Sequence, residues 1–148
     1  MSVESNPESN PEFSQGRVDV IARLKDAGVT PTQQRVEIAQ ILFAKPQHLS
    51  AEQVLAIVNT EGPVASKATV YNTLGLFANK GLLSEVIVDP TKVFYDSNTT
   101  GHHHFYNVDS GELIDVDSGA VSLANLPPLP EGTEAEAVDV IIRVRQTD

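Results

Sequence analysis

The sequence predicts an α+β fold in two parts, an N-terminal winged helix-turn-helix domain followed by a small α/β dimerisation domain. Three observations carry this. Apolar residues recur at three- and four-residue spacing in four successive stretches between Arg17 and Gly81. Beyond Gly81 the period falls to two, in paired runs around Asp89-Pro90-Thr91. The sign of the charge changes at the same place. Residues 17–81 hold seven Lys/Arg against five Asp/Glu, a net +2, while residues 82–148 hold three against twelve, a net -9.

The elements follow in order. Residues 1–16 read as a disordered acidic tail, with Ser5-Asn6-Pro7-Glu8 repeated as Ser9-Asn10-Pro11-Glu12. A first helix runs from Arg17 to Ala27, its face traced by Val18, Ile21, Ala22 and Leu24 or Lys25, and Gly28 ends it. Thr32 caps a second helix with a broad apolar face from Val36 to Phe43, which Lys45-Pro46 closes. His48 falls in the loop that follows. Ser50 and Gln53 form a capping box for a third helix, and Glu61-Gly62-Pro63 is a turn. The fourth helix is capped by Ser66, carries Val70, Leu74, Leu76 and Phe77 on its apolar side, and stops at Gly81. Ser84–Val88 and Lys92–Asp96 then pair as the wing. The winged domain thus spans 17–96, a polar linker 97–101, and the dimerisation and ligand-sensing domain 102–148.

The last segment reads as three strands, His104–Val108, Glu112–Val116 and the alternating run Val138–Val144, with an irregular piece between the second and third. A sheet of this size is marginal alone and gains from pairing with a copy of itself, which predicts a homodimer, with higher oligomers open.

Bulk properties exclude several classes. There is no cysteine, so disulfides and thiolate zinc sites, including a structural four-cysteine zinc, are absent, and any metal is held by nitrogen and oxygen. No apolar run approaches the roughly 18 residues of a membrane span, and the polar, acidic N-terminus does not read as a signal peptide. The expectation is a cytoplasmic protein with no membrane partner. A net charge of -10 argues against nucleic acid, but the positive middle segment confines any DNA contact to the first half.

Within that half, Arg35, Lys67 and Lys80 are candidate phosphate contacts. Thr69, Tyr71 and Asn72, early in the fourth helix, are candidates for base edges, thymine methyls or sugars. The partner would be double-stranded operator DNA. An ordinary amphipathic helix would show the same apolar spacing, and the surrounding elements decide between the two.

Three histidines are consecutive, His102-His103-His104. Strand alternation puts His102 and His104 on one side and His103 on the other. With Asp96 six residues before His102, and His48, they offer a ligand set for zinc, manganese, iron or nickel. The competing readings are a polar strand edge with no ligand, an iron oxygenase or hydrolase built on Asp96, His102 and His104, and a metal or haem buffer without a DNA role. No general base stands near the histidines, so an enzyme is not expected.

With these residues in place, the chain resembles the ferric uptake regulator family over residues 17–145. The most specific stretch is Ala68-Thr69-Val70-Tyr71-Asn72-Thr73-Leu74 before Phe77 and Gly81, supported by Thr32-Gln33-Gln34-Arg35 and by His48-Leu49-Ser50-Ala51-Glu52. It is most similar to the iron response regulator branch, through His102-His103-His104-Phe105-Tyr106, Leu113-Ile114-Asp115-Val116, Leu123-Ala124-Asn125-Leu126-Pro127 and Pro130-Glu131-Gly132. The resemblance implies a homodimeric transcription repressor that grips a near-palindromic operator. It also implies a divalent ion (zinc, manganese or iron) between the domains on His48, Asp96, His102 and His104. In this branch the histidine run is linked to haem, which makes His103 a candidate axial ligand, although the Cys-Pro haem motif is missing. Asn107 and Ser110 stand where many members carry cysteine. The branch is typically active when iron is scarce.

Overall fold

The computed structural model describes residues 16–148, so the expected acidic tail lies, apart from Gly16, outside the described residues. The chain divides into two compact units between Thr99 and Thr100.

The first unit holds α1 (Arg17–Asp26), α2 (Gln33–Leu42), β1 (His48–Ser50), α3 (Ala51–Val58), α4 (Lys67–Asn79), β2 (Ser84–Asp89) and β3 (Lys92–Asp96). Each of the last three helices starts at a hydroxyl that accepts a backbone N–H three residues on. Thr32 Oγ1 accepts from Arg35, Ser50 Oγ from Gln53 and Ser66 Oγ from Thr69. Gln53 returns the bond to the Ser50 N–H at 2.8 Å, completing the capping box. α4 ends in a left-handed glycine, Gly81 at φ +81°, and the Leu82 N–H reaches back to the Phe77 carbonyl at 2.9 Å.

The apolar sides of the four helices converge on one core, with Leu24, Val36, Leu42, Phe43, Val54, Val70, Leu74 and Phe77 fully buried. On α1 the buried stripe is Val20 and Leu24, not the expected Val18, which is 79% exposed. Two residues advance a helix by about 200°, so burying Val20 turns Val18 outward. The Arg23 guanidinium lies 3.9 Å from the Phe43 ring centroid and roofs that edge of the core.

The wing is a three-stranded antiparallel sheet of order β1-β3-β2. The segment expected as a loop at His48 is its third strand, with His48 opposite Asp96 and Ser50 opposite Phe94. Ser50 therefore ends β1 and caps α3 at once.

The second unit is a sheet of order β5-β4-β6, from β4 (His103–Asn107), β5 (Leu113–Val116) and β6 (Ile141–Val144). β4 and β5 form an antiparallel hairpin across Asp109-Ser110-Gly111, with Gly111 at φ +79°. β6 runs parallel to β4. Between β5 and β6 only Ser118–Ala120 is regular, as one 3₁₀ turn. The strand expected from Val138 is regular only from Ile141: the Val140 carbonyl still accepts the His104 N–H of β4 at 3.1 Å, but Val138 is 43% exposed. Among the described residues no helix is long and apolar enough to cross a membrane.

Candidate nucleic-acid interface and histidine cluster

In the first unit, the α3–α4 turn is set by one side chain. Asn59 Oδ1 accepts the N–H groups of Val64 and Ala65 at 2.7 and 3.0 Å, and Nδ2 donates to the Ala65 carbonyl at 2.9 Å. Three backbone groups that the helices leave unpaired are thus satisfied, and the angle between α3 and α4 is fixed. Sequence reasoning passed over Asn59. Its signal was an Asn at a helix end before a Gly-Pro turn. Asn59→Ala should lower stability by about 2–3 kcal/mol in urea unfolding, because it strands partly buried backbone groups. A loss under about 0.5 kcal/mol would show that the turn holds without it.

The candidate DNA residues sit at or beside the start of α2 and along α4. Arg35 Nη1 donates to the Thr30 carbonyl at 3.0 Å, which leaves donors of its guanidinium for other acceptors. Lys67, Asn72 and Lys80 are exposed. The Thr69 and Ser66 hydroxyls lie 3.0 Å apart, so Thr69 is part of the helix cap as well as of the surface. Tyr71 packs its ring against the core margin and donates its phenol O–H to Glu52 Oε2 of α3 at 2.6 Å. Lys67 Nζ lies 5.6 Å from the Tyr71 ring centroid. The phenol bond holds the Glu52 carboxyl below the usual range, helped by its own backbone and by Lys92. The same bond pushes the Tyr71 phenol up. What Glu52 adds is present above the unfolded carboxyl value and is lost as pH falls through its lowered folded pKa. What Tyr71 adds is present below the unfolded phenol value and is lost as pH rises through its raised folded pKa. The contact therefore persists across the neutral range.

His48 and Asp96 stand opposite each other at the ends of β1 and β3. The Asp96 side chain is buried, and Oδ1 accepts the Asn98 N–H at 2.9 Å.

In the second unit His102 and His104 do face the same way, with ring centroids 4.5 Å apart. The register places His104 directly opposite Asp115, a residue the sequence reading did not select. Asp115 Oδ1 lies 3.2 Å from His102 Nε2 and 3.3 Å from His104 Nε2. Among the described residues, these two imidazoles and this carboxylate bring ligand atoms within 4.8 Å of one another.

The donor set fits a cation. His102 Nδ1 is 2.8 Å from the Thr100 carbonyl, which can only accept, so Nδ1 carries a proton. In the neutral ring Nε2 then turns a lone pair toward a carboxylate oxygen, an arrangement that a proton or metal ion between them would stabilise. A carbonyl that fixes the tautomer of a ligating histidine is the usual support for a metal site. His103 lies on the opposite face, buried, with Nδ1 accepting the Val140 N–H at 3.1 Å.

The chain has known relatives. The model of the ferric uptake regulator family matches residues 26–127. The peroxide-responsive repressor PerR of Staphylococcus aureus (strain USA300) is 32% identical over 95 residues, 64% of either protein. The chain thus spans about two thirds of the length of that curated relative. Among solved structures, the ferric uptake regulator of Pseudomonas aeruginosa with manganese is 27% identical, with a TM-score of 0.63 over 86% of this chain and 97% of that one. The Vibrio cholerae ferric uptake regulator, 24% identical, has a TM-score of 0.65 over 85% of this chain and 98% of that one, a likeness of fold.

Proposed function

Because the chain belongs to the ferric uptake regulator family, whose members are transcription regulators and not enzymes, we propose that it is a metal-responsive repressor binding operator DNA as a homodimer in the cytoplasm. The observation that carries the metal response is the convergence of His102 Nε2 and His104 Nε2 on one oxygen of Asp115. Zinc, manganese or iron accepts such nitrogen and oxygen donors. Manganese is also named for the P. aeruginosa protein. His48 and Asp96 of the first unit are the further ligands in this reading. A divalent ion supplies one charge centre to which donors from both units can bind, so that metal loading biases their relative angle and the spacing of two α4 helices in a dimer.

In this reading α4 enters the major groove. Arg35, Lys67 and Lys80 take phosphates, and Thr69, Tyr71 and Asn72 face bases or sugars. Only these few cations serve each protomer, so affinity depends on the dimer. The finer assignment, to the iron response branch, rests on the residues around the histidine run and implies DNA binding when iron is scarce. Haem at His103 is the less favoured form of the signal, because that ring is buried with Nδ1 engaged.

The test is operator selection from random duplexes by the chelator-treated protein, followed by binding with Fe(II), Mn(II), Zn(II) or haem added. The expected result is tight binding of the metal-free dimer, weakened at least about tenfold by iron or haem, a shift of about 1.4 kcal/mol. Metal-free protein that binds nothing until metal is added would reverse the direction of the response. Selection of no sequence in any state would end the DNA-binding reading.

A further inference from the structure

We propose that Glu52 of α3 is a positioning residue that sets operator specificity by holding the Tyr71 ring in place on α4. This rests on the reading of α4 as the DNA-contacting helix. Glu52 is in the first turn of α3, where an anion is favoured by the helix dipole, and it is exposed, so the core gives no reason for a carboxylate there. Phosphate-facing surfaces disfavour carboxylates, because each one repels the backbone that the neighbouring cations attract. Beside the modest gain from the helix dipole, its partner on α4 gives Glu52 a second reason to be a carboxylate there. The 2.6 Å contact with the Tyr71 hydroxyl is in the range of charge-assisted O–H···O⁻ bonds.

The ring is held at three points. Its hydroxyl is on Glu52, one side packs against the core margin, and the Lys67 ammonium lies toward its face. The positive charge of Lys92 in the wing also favours the ionised Glu52 carboxylate. With the hydroxyl so engaged, Tyr71 offers an apolar ring edge, which suits a thymine methyl, rather than a hydrogen bond to a phosphate. A ring already ordered loses little rotamer freedom on binding, which is worth about three- to tenfold in affinity for a single side chain.

The two roles open to Glu52 differ in sign. A carboxylate that merely repels phosphates weakens specific and non-specific binding together, and its removal tightens both. A positioning carboxylate strengthens only the sequence-specific complex.

The experiment compares the full chain with Glu52→Ala, Glu52→Gln, Tyr71→Phe and the Glu52→Ala/Tyr71→Phe double variant. Fluorescence anisotropy on the selected operator and on an unrelated duplex reads binding. Ultraviolet titration reads phenol ionisation, and thermal melting by circular dichroism confirms the fold. Glu52→Ala should weaken operator binding about three- to tenfold while the unrelated duplex binds as well or better. Glu52→Gln, which keeps an acceptor oxygen, should restore most of the discrimination. Tyr71→Phe should mimic Glu52→Ala, the double variant should be no worse than Tyr71→Phe, and one phenol should ionise at lower pH in Glu52→Ala. Equal tightening on both duplexes, or additive losses in the double variant, would overturn the proposal. If the unmodified protein selects an operator and Glu52→Ala keeps full discrimination, the proposal alone falls. If the unmodified protein selects none, the proposal and the DNA-binding reading fall together.

Discussion

Asp115→Ala should lower affinity for a divalent ion by about 100-fold or more, the most severe binding defect expected of any single substitution here. Changes to groups that only support a ligand already cost roughly 10–100-fold, and Asp115 faces both imidazoles directly through one oxygen. Removing it leaves the second unit with two neutral donors and no carboxylate of its own to offset the ion's charge. Competition titration with a chromophoric chelator measures this, and metal added at about 100 times its dissociation constant should raise the stability of the parent by about 2.7 kcal/mol but leave the variant little changed. Affinity should fall on acidification, since an imidazole must release a proton to ligate. Unaltered affinity in Asp115→Ala would remove the second unit's cluster from the metal site.

Phe77→Ala should destabilise the first unit by about 3–5 kcal/mol, enough to unfold a marginal domain. Phe77 has no exposed surface and lies on the same side of α4 as Val70 and Leu74, also fully buried. A cavity of benzyl size at that point cannot be closed without moving α4, which is capped at Ser66 and terminated at Gly81. Urea unfolding of the full chain, followed by far-ultraviolet circular dichroism, gives the number. A loss under about 1.5 kcal/mol would mean that the core collapses around the gap. The exposed Val18 on α1 offers the contrast, for Val18→Ala should change stability by no more than about 0.5 kcal/mol.

The local features of the fold were legible in the sequence and the non-local ones were not. Thr32, Ser50 and Ser66 declare their helices because a hydroxyl and the N–H it caps are three residues apart. Gly81 declares a stop because the left-handed backbone suits glycine. β1 declares nothing, since three residues beginning at His48 become a strand only through β3, more than forty residues later. The alternation of Val138–Val144 predicts a longer strand than forms, because length is set by the partner, and bonding to β4 begins at the Val140 carbonyl. The histidine cluster was half legible. Alternation paired His102 with His104, but Asp115 joins them through hairpin register. Counting outward from Asp109-Ser110-Gly111 brings Asp115 opposite Phe105, one residue away from the register that forms, so the turn alone did not place it beside His104. Tyr71 was selected from its place on α4, whereas the tie of its hydroxyl to Glu52 is a contact between helices that no spacing rule contains.

The register of the second unit also bears on the order in which it assembles. β4 and β5 are joined by a short turn, so their pairing closes a small loop and by itself brings His102, His104 and Asp115 together. β6 must close a crossover of more than twenty residues that holds a single 3₁₀ turn, and it does so in the slower parallel arrangement. The hairpin alone therefore assembles the trio, and a metal ion bound to it would cross-link β4 and β5 and brace the edge on which β6 docks.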